Sequence, residues 1–217
     1  MLKLPNIRNR LAAYTPELSP TEGMRMAAVT VLLRNDRPET EVLLIERAKR
    51  DGDPWSGHMA FPGGRAEPSD PSVQKTAERE TLEEVGIGLD DARCIGRLDD
   101  LSGRAAAANK MIVSAYVYEM DSPGSIQIEP SEVADALWVP LDYLVHPENH
   151  VPYPMQYGER EIMFPGVSVA GPEPRVVWGL TYRFLEIFFE VIGNPFFDHG
   201  IPDPESLGIP SGNSPNE

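Results

Sequence analysis

The sequence predicts an α/β fold, a mixed β-sheet flanked by helices on both faces, and three observations carry that prediction. Residues 25–33 and 41–46 are apolar runs dominated by β-branched and aliphatic side chains, the composition of strands. Residues 70–86 form a Glu-rich stretch with the start and stop signals of a helix, and 176–192 repeats apolar residues at helical spacing. Strands with helices between and after them, rather than runs of one kind, belong to this class. The 217 residues suffice for one cored domain with some extra segments. We read 1–22 as an N-terminal arm, 23–193 as the folded domain and 194–217 as a flexible C-terminal tail rich in Pro, Gly, Ser and Asn.

Taken in order, 7–14 predicts a short helix with Ile7, Leu11 and Tyr14 on one side, broken by Pro16 and Pro20, as part of a peripheral arm. The strands at 25–33 and 41–46 pair across the turn-forming Asn35-Asp36-Arg37-Pro38. A polar loop at 50–55 and a short strand at 59–61 lead into a Gly63-Gly64 turn. In the acidic helix, Asp70 suits the N-cap, Pro71 the first helical position and Gly86 the left-handed closing residue. Thr81, Leu82 and Val85 lie roughly opposite Glu80, Glu83 and Glu84, so one side is expected to bury and the other to present carboxylates. Further strands are expected at 94–99, 111–120 and 136–139, the last leading through Pro140 into a short helix at 141–145. A loop or hairpin follows at 153–169, then a C-terminal helix at 176–192 that sends Leu180, Phe184, Leu185, Phe188 and Val191 to the core.

Charge narrows the function. Lys+Arg 19 against Asp+Glu 34 leaves a formal net charge of -15, which opposes non-specific binding to nucleic acid or to anionic membranes. A small phosphate-bearing substrate remains compatible, provided cations sit between the carboxylates and the phosphates. The single cysteine, Cys94, cannot form an internal disulfide and is expected as a buried, inert thiol, which fits a reducing compartment. No apolar run approaches the ~20 residues of a membrane-spanning helix. The N-terminus lacks the apolar core of a signal peptide, so the cytoplasm is the expected location.

The chemistry concentrates between Phe61 and Ile87. Positions three and four apart share a helix face, so Glu80 lies beside both Glu83 and Glu84. Their repulsion is relieved by a divalent cation, and hard oxygen ligands suit Mg²⁺ or Mn²⁺. A solvated acidic face explains the same residues taken alone. The Gly63-Gly64 pair permits close backbone approach just before this helix, and Arg79, four residues before Glu83, can orient a carboxylate through a bidentate bond.

These residues resemble the Nudix box, GX5EX7REUXEEXGU with U an aliphatic residue. Gly64 and Arg79-Glu80-Thr81-Leu82-Glu83-Glu84-Val85-Gly86-Ile87 match it, with Thr81 at an aliphatic position. The gap from Gly64 to Arg79 is one residue longer than the general pattern, and Glu67 and Asp70 both remain candidates for its first acidic position. The longer gap is similar to the coenzyme A pyrophosphatase branch, FPGGxxDxxD…TAxREAxEEXG, here FPGGRAEPSD…TAERETLEEVG. Leu43-Leu44-Ile45-Glu46-Arg47, Gly57-X-X-X-Phe61, Glu129-Pro130-Ser131-Glu132-Val133, Trp138-Val139-Pro140-Leu141 and Trp178-Gly179-Leu180-Thr181 extend the likeness over 24–193. That branch usually has an Arg a few residues before the Gly, where this chain has Asp53-Pro54-Trp55-Ser56.

The resemblance implies a Nudix-like α/β/α sandwich and a metal-dependent hydrolase of a nucleoside diphosphate linked to another moiety. It implies that Glu80, Glu83 and Glu84 hold Mg²⁺ or Mn²⁺, with Glu83 or Glu80 as the base, Glu132 as an outside candidate for it, and Arg79 orienting the cluster. For contacts to the substrate, Arg47, Trp55, His58, Gly63 and Gly64 are the candidates, Trp178 being assigned to the core. Coenzyme A or a derivative is the first substrate reading. A nucleoside diphosphate sugar or ADP-ribose is the alternative that the altered 51–58 segment favours, and a non-catalytic Nudix-fold binding module is a third. Whether the apolar C-terminal helix is core or a homodimer interface stays open.

Overall fold

The computed structural model describes residues 2–50, 55–104, 110–157, 160–169 and 175–196. Along the chain these form α1 (Leu4–Ala12), β1 (Arg25–Arg34), β2 (Glu41–Arg47), β3 (Met59–Ala60), β4 (Gly63–Arg65) and α2 (Val73–Val85). Next come β5 (Arg93–Arg97), β6 (Leu101–Arg104), β7 (Lys110–Met120), β8 (Val133–Pro140) and α3 (Leu141–Leu144). The last elements are β9 (His150–Tyr157), β10 (Arg160–Val169), β11 (Arg175–Trp178) and α4 (Gly179–Val191). The result is the mixed sheet flanked by helices that the sequence predicts, joined by a second sheet that it does not.

Strand β1 is the axis of the main sheet. It pairs in parallel with β7 along its whole length, from Arg25↔Met111 to Arg34↔Met120. Its other edge is shared: β4 pairs antiparallel at Ala27, Ala28 and Val29, and β2 takes over at Leu33 and Arg34. The main path is β3-β2-β1-β7-β5, with β8 on β2 and β6 on β7. Because strand side chains alternate faces, β2 sends Val42 and Leu44 to one core and Leu43 and Ile45 to the other. The smaller core lies under α2, through Ala77 and Val85. The larger holds α1, α3, β10, β11 and α4, with Tyr182, Phe184, Leu185, Phe188 and Phe189 at its centre.

Several expectations change. The N-terminal segment, read as a peripheral arm, begins its helix at Leu4 and buries Leu4, Ile7 and Leu11 in the larger core. Tyr14 lies beyond that helix and donates to Asp99 at 2.5 Å. Of the loop or hairpin expected at 153–169 the hairpin forms, His150↔Val167 to Tyr157↔Arg160, and the unexpected part is β11, which completes a three-stranded antiparallel sheet with it. The predicted C-terminal helix accordingly starts later. Val176 and Val177 pair as strand with Ser168 and Val167, and Gly179, at φ 62, makes the break that lets helix follow. The Gly63-Gly64 turn is itself a strand on β1, and β6 is an additional strand. Cys94 is exposed rather than buried, where β5 shifts register against β7.

Of the expected tail, Asn194 N–H donates to Phe189 O at 2.8 Å and Phe196 packs on His150. The remainder of that tail, 197–217, and residues 51–54 of the predicted polar loop lie outside the described residues. No helix among the described residues is long and apolar enough to cross a membrane.

Candidate active site

Helix α2 is set in place by charges that also shape the site. Its N-cap is Ser72, whose Oγ accepts from Lys75 N–H at 3.2 Å. Asp70, expected in that position, is occupied elsewhere. Its carboxylate accepts from Arg79 Nε at 2.9 Å and Nη2 at 3.0 Å, from Glu67 N–H at 2.9 Å and from the Thr76 hydroxyl at 2.9 Å. The Arg79 hydrogen bonds, then the Glu67 N–H, hold Asp70 well below the usual carboxylate range. Asp70, not Glu67, is thus the acidic partner of the box arginine. Gly86 closes the helix as expected, at φ 70, with its N–H on Leu82 O.

The buried face of α2 is Thr76, Ala77, Thr81, Glu84 and Val85. Thr81 fits an aliphatic position because its hydroxyl is satisfied by Ala77 O at 2.7 Å and Thr30 Oγ1 at 2.9 Å. Leu82, expected in the core, is 53% exposed, and Glu84, expected on the open face, is 1% exposed. At 100° per residue the face through 77, 81 and 85 takes in position 84 before position 82.

Glu84 buries its carboxylate against β4, where Gly63 N–H donates to Oε2 at 2.9 Å. Two glycines permit that approach. Gly63 sits at φ +155, and a Cβ there would stand 2.6 Å from Val29 Cα; a Cβ on Gly64 would stand 2.6 Å from Glu80 Oε2. Burial pushes Glu84 up to about 7, against the Gly63 N–H and the Arg47 charge, while Glu80 and Glu132 push it further up. Burial also raises Glu80, and Arg79 opposes that.

Glu80, Glu84 and Glu132 each bring one oxygen within 4.8 Å of the others. Glu83 is not in this group: it is 56% exposed and accepts from Arg79 Nη1 at 2.9 Å. Arg79 also donates to Glu80 at 3.0 Å and to Arg65 O at 3.2 Å, so one guanidinium ties helix, strand and loop together. Three carboxylate oxygens this close to one another, one of them from a buried acid, could hold a divalent cation.

Of the other sequence-predicted residues, Arg47 acts on this cluster directly, and Trp55 and His58 are joined to it through Arg47. Arg47 ends β2 and acts on Glu84 through its charge. Its N–H donates to His58 O at 3.0 Å, and its carbonyl accepts from Gly57 N–H at 3.1 Å. His58 N–H reaches Trp55 O at 3.1 Å, which makes Trp55 to His58 one turn. The His58 ring meets the edge of Trp178 at 4.9 Å, and Trp178, 6% exposed, stacks on Tyr153 at 4.3 Å. The turn is therefore walled by the second sheet. The sequence offers Glu132 only as an outside candidate for the base, not as a neighbour of Glu80 and Glu84. The signal available was Glu129-Pro130-Ser131-Glu132 before a strand, which says nothing of where that strand lands.

Residues 24–158 match the NUDIX domain. Uncharacterized protein C14C4.10c of Schizosaccharomyces pombe is 37% identical over 158 residues, 64% of this chain and 48% of that protein, so the chain spans about half the length of that relative. Uncharacterized Nudix hydrolase NudL of Pectobacterium atrosepticum is 30% identical over 173 residues, 78% of this chain and 84% of the relative. The human mitochondrial coenzyme A diphosphatase NUDT8 is 30% identical over 186 residues, 85% of this chain and 76% of the relative.

Proposed function

The chain belongs to the Nudix family and is a pyrophosphohydrolase, and on that premise we propose that it cleaves the diphosphate bond of coenzyme A or a derivative, using Mg²⁺ or Mn²⁺. The observation that carries the site assignment is the convergence of Glu80, Glu84 and Glu132 beside the Gly63-Gly64 strand. The coenzyme A reading is supported by the human relative that bears that name and spans 85% of this chain.

Glu80, Glu84 and Glu132 would hold the metal. When bound, it supplies positive charge opposite the diphosphate oxygens and acidifies water at the site. Glu84 is fixed by the Gly63 N–H, and a cation held here would favour the ionised form that burial disfavours. Arg79 contacts both Glu80 and Glu83 and would orient them, and either would accept the proton of the attacking water. Glu83 is the more exposed of the two and accepts from Arg79 Nη1 at 2.9 Å. Arg47 would receive a phosphate, Gly63 and Gly64 would lie along the substrate on β4, and Trp55 and His58 would border its remoter part. Cytoplasm stands as the proposed compartment.

The test is a panel of coenzyme A, ADP-ribose and UDP-glucose with Mg²⁺ or Mn²⁺, products identified, on the wild type and Glu84→Gln. The expected result is cleavage of coenzyme A to 4'-phosphopantetheine and adenosine 3',5'-bisphosphate, lowered steeply in a folded Glu84→Gln protein. Turnover of ADP-ribose or UDP-glucose with coenzyme A untouched rejects the substrate. Near-normal turnover by Glu84→Gln rejects the site.

A further inference from the structure

Glu132 reaches the carboxylate cluster from outside helix α2, in the turn that precedes β8, and the contacts holding that turn differ in kind. Backbone bonds tie it to neighbouring segments, Glu129 N–H to Glu84 O at 3.0 Å and Ala48 N–H to Glu132 O at 2.8 Å, and close it internally, Glu132 N–H and Val133 N–H both to Glu129 O at 2.9 Å. A side-chain contact is local, with Ser131 N–H and hydroxyl on Glu129 Oε1 at 3.2 and 2.8 Å. The last is Arg50, whose Nε donates to Ser131 O at 2.7 Å while its Nη2 donates to the same carbonyl and to Glu132 Oε1 at 3.2 Å. Arg50 is itself anchored: its N–H donates to Ser56 Oγ at 2.6 Å and its carbonyl accepts the Ser56 hydroxyl at 2.8 Å.

Glu132 is 44% exposed and faces two other carboxylates, so repulsion would turn its side chain out into water. Arg50 is the cation that opposes this, and its fork grips the carbonyl before Glu132 together with the carboxylate. We propose that Arg50 is a positioning residue that holds Glu132 in the cluster, an inference that rests on the metal-site reading above. At 45% exposure the pair contributes little to stability, which separates this role from a structural one. Lysine offers a single point charge where the contact needs a planar fork, so it replaces Arg50 only in part.

The experiment compares wild type, Arg50→Ala, Arg50→Lys, Glu132→Gln and the Arg50→Ala/Glu132→Gln double variant. Four quantities are measured: kcat and KM on the cleaved diphosphate, the thermal midpoint, and Mn²⁺ binding without substrate from the electron paramagnetic resonance of free Mn²⁺. Arg50→Ala is expected to lower kcat about 10-fold and to weaken Mn²⁺ binding by a similar factor, the low end of the cost of losing a ligand's outer partner. KM and the thermal midpoint should hold, and Arg50→Lys should fall between. In the Glu132→Gln background, removing Arg50 should change neither turnover nor Mn²⁺ affinity. An equal loss in that background overturns the proposal, as does a rise in KM alone, which would make Arg50 a direct substrate contact. If the wild type cleaves no diphosphate, the functional reading fails, while the Mn²⁺ titrations across the same variants still decide whether Arg50 acts through Glu132.

Discussion

Replacing Glu84 by glutamine probes the energetic cost of burying an acid at the centre of this site. Burial pushes the carboxyl from its ordinary 4.5 up to about 7, so the folded state holds a proton over a pH range where the unfolded chain has lost it. In that window the native state binds more protons than the unfolded one, and stability falls as pH rises. The contribution is complete below 4.5 and gone above about 7, the reverse of a salt-bridged carboxylate. Across about 2.5 pH units at 1.36 kcal/mol each, the ionised Glu84 costs the fold about 3 kcal/mol. For a domain of this size that is a shift of about 6–12 °C in Tm. Glutamine never ionises and can still accept the Gly63 N–H. Thermal melts in EDTA from pH 5 to 8.5 should therefore show the two proteins alike at pH 5 and Glu84→Gln more stable at pH 8.5. Saturating Mg²⁺ at pH 8.5 should raise the wild type far more than the variant, because a ligand that binds only the folded state stabilises it. A Tm difference independent of pH would refute the assignment of this cost to Glu84 ionisation.

Other consequences follow from single contacts. Asp70→Ala strips Arg79 of its bidentate partner and should cost about 2–3 kcal/mol near neutral pH in urea unfolding. Because Asp70 is depressed, its contribution is present above the unfolded carboxylate value and is lost as pH falls, so wild type and variant should converge in acid. Gly64→Ala drives a methyl group into the Glu80 carboxylate and should cut kcat by about 10-fold or more with the fold retained, as seen by circular dichroism. Trp178→Ala removes the wall shared by His58, Tyr153 and Phe164 and should destabilise the protein by about 3–5 kcal/mol in the same unfolding assay.

What could be read from the sequence was local. The axis strand, the acidic helix and its Gly86 stop are visible because period-2 and period-3.6 patterns and capping residues act over a few neighbours. The box from Gly64 to Ile87 was visible for the same reason, since a helix and the loop before it bring its chemistry together without help from the rest of the chain. Its orientation was not. Glu83 and Glu84 are adjacent in sequence, yet one is 56% exposed and the other 1%, a difference set by where β1 and β4 meet the helix. Asp70 and Ser72 both suit an N-cap by residue type, and only the fold engages Asp70 elsewhere, with Arg79, Glu67 N–H and the Thr76 hydroxyl. The second sheet was hidden because β9 and β10 alternate weakly between Pro, Gly and apolar residues, and pairing across a hairpin is decided by partners rather than by either strand. Glu132 lies 48 positions beyond Glu84, and nothing local reports that β8 pairs with β2 and so delivers it to the cluster. The three box glutamates are thus a property of the sequence, while the set of Glu80, Glu84 and Glu132 that could hold a metal exists only because burial and strand pairing choose two of them and add a third from elsewhere.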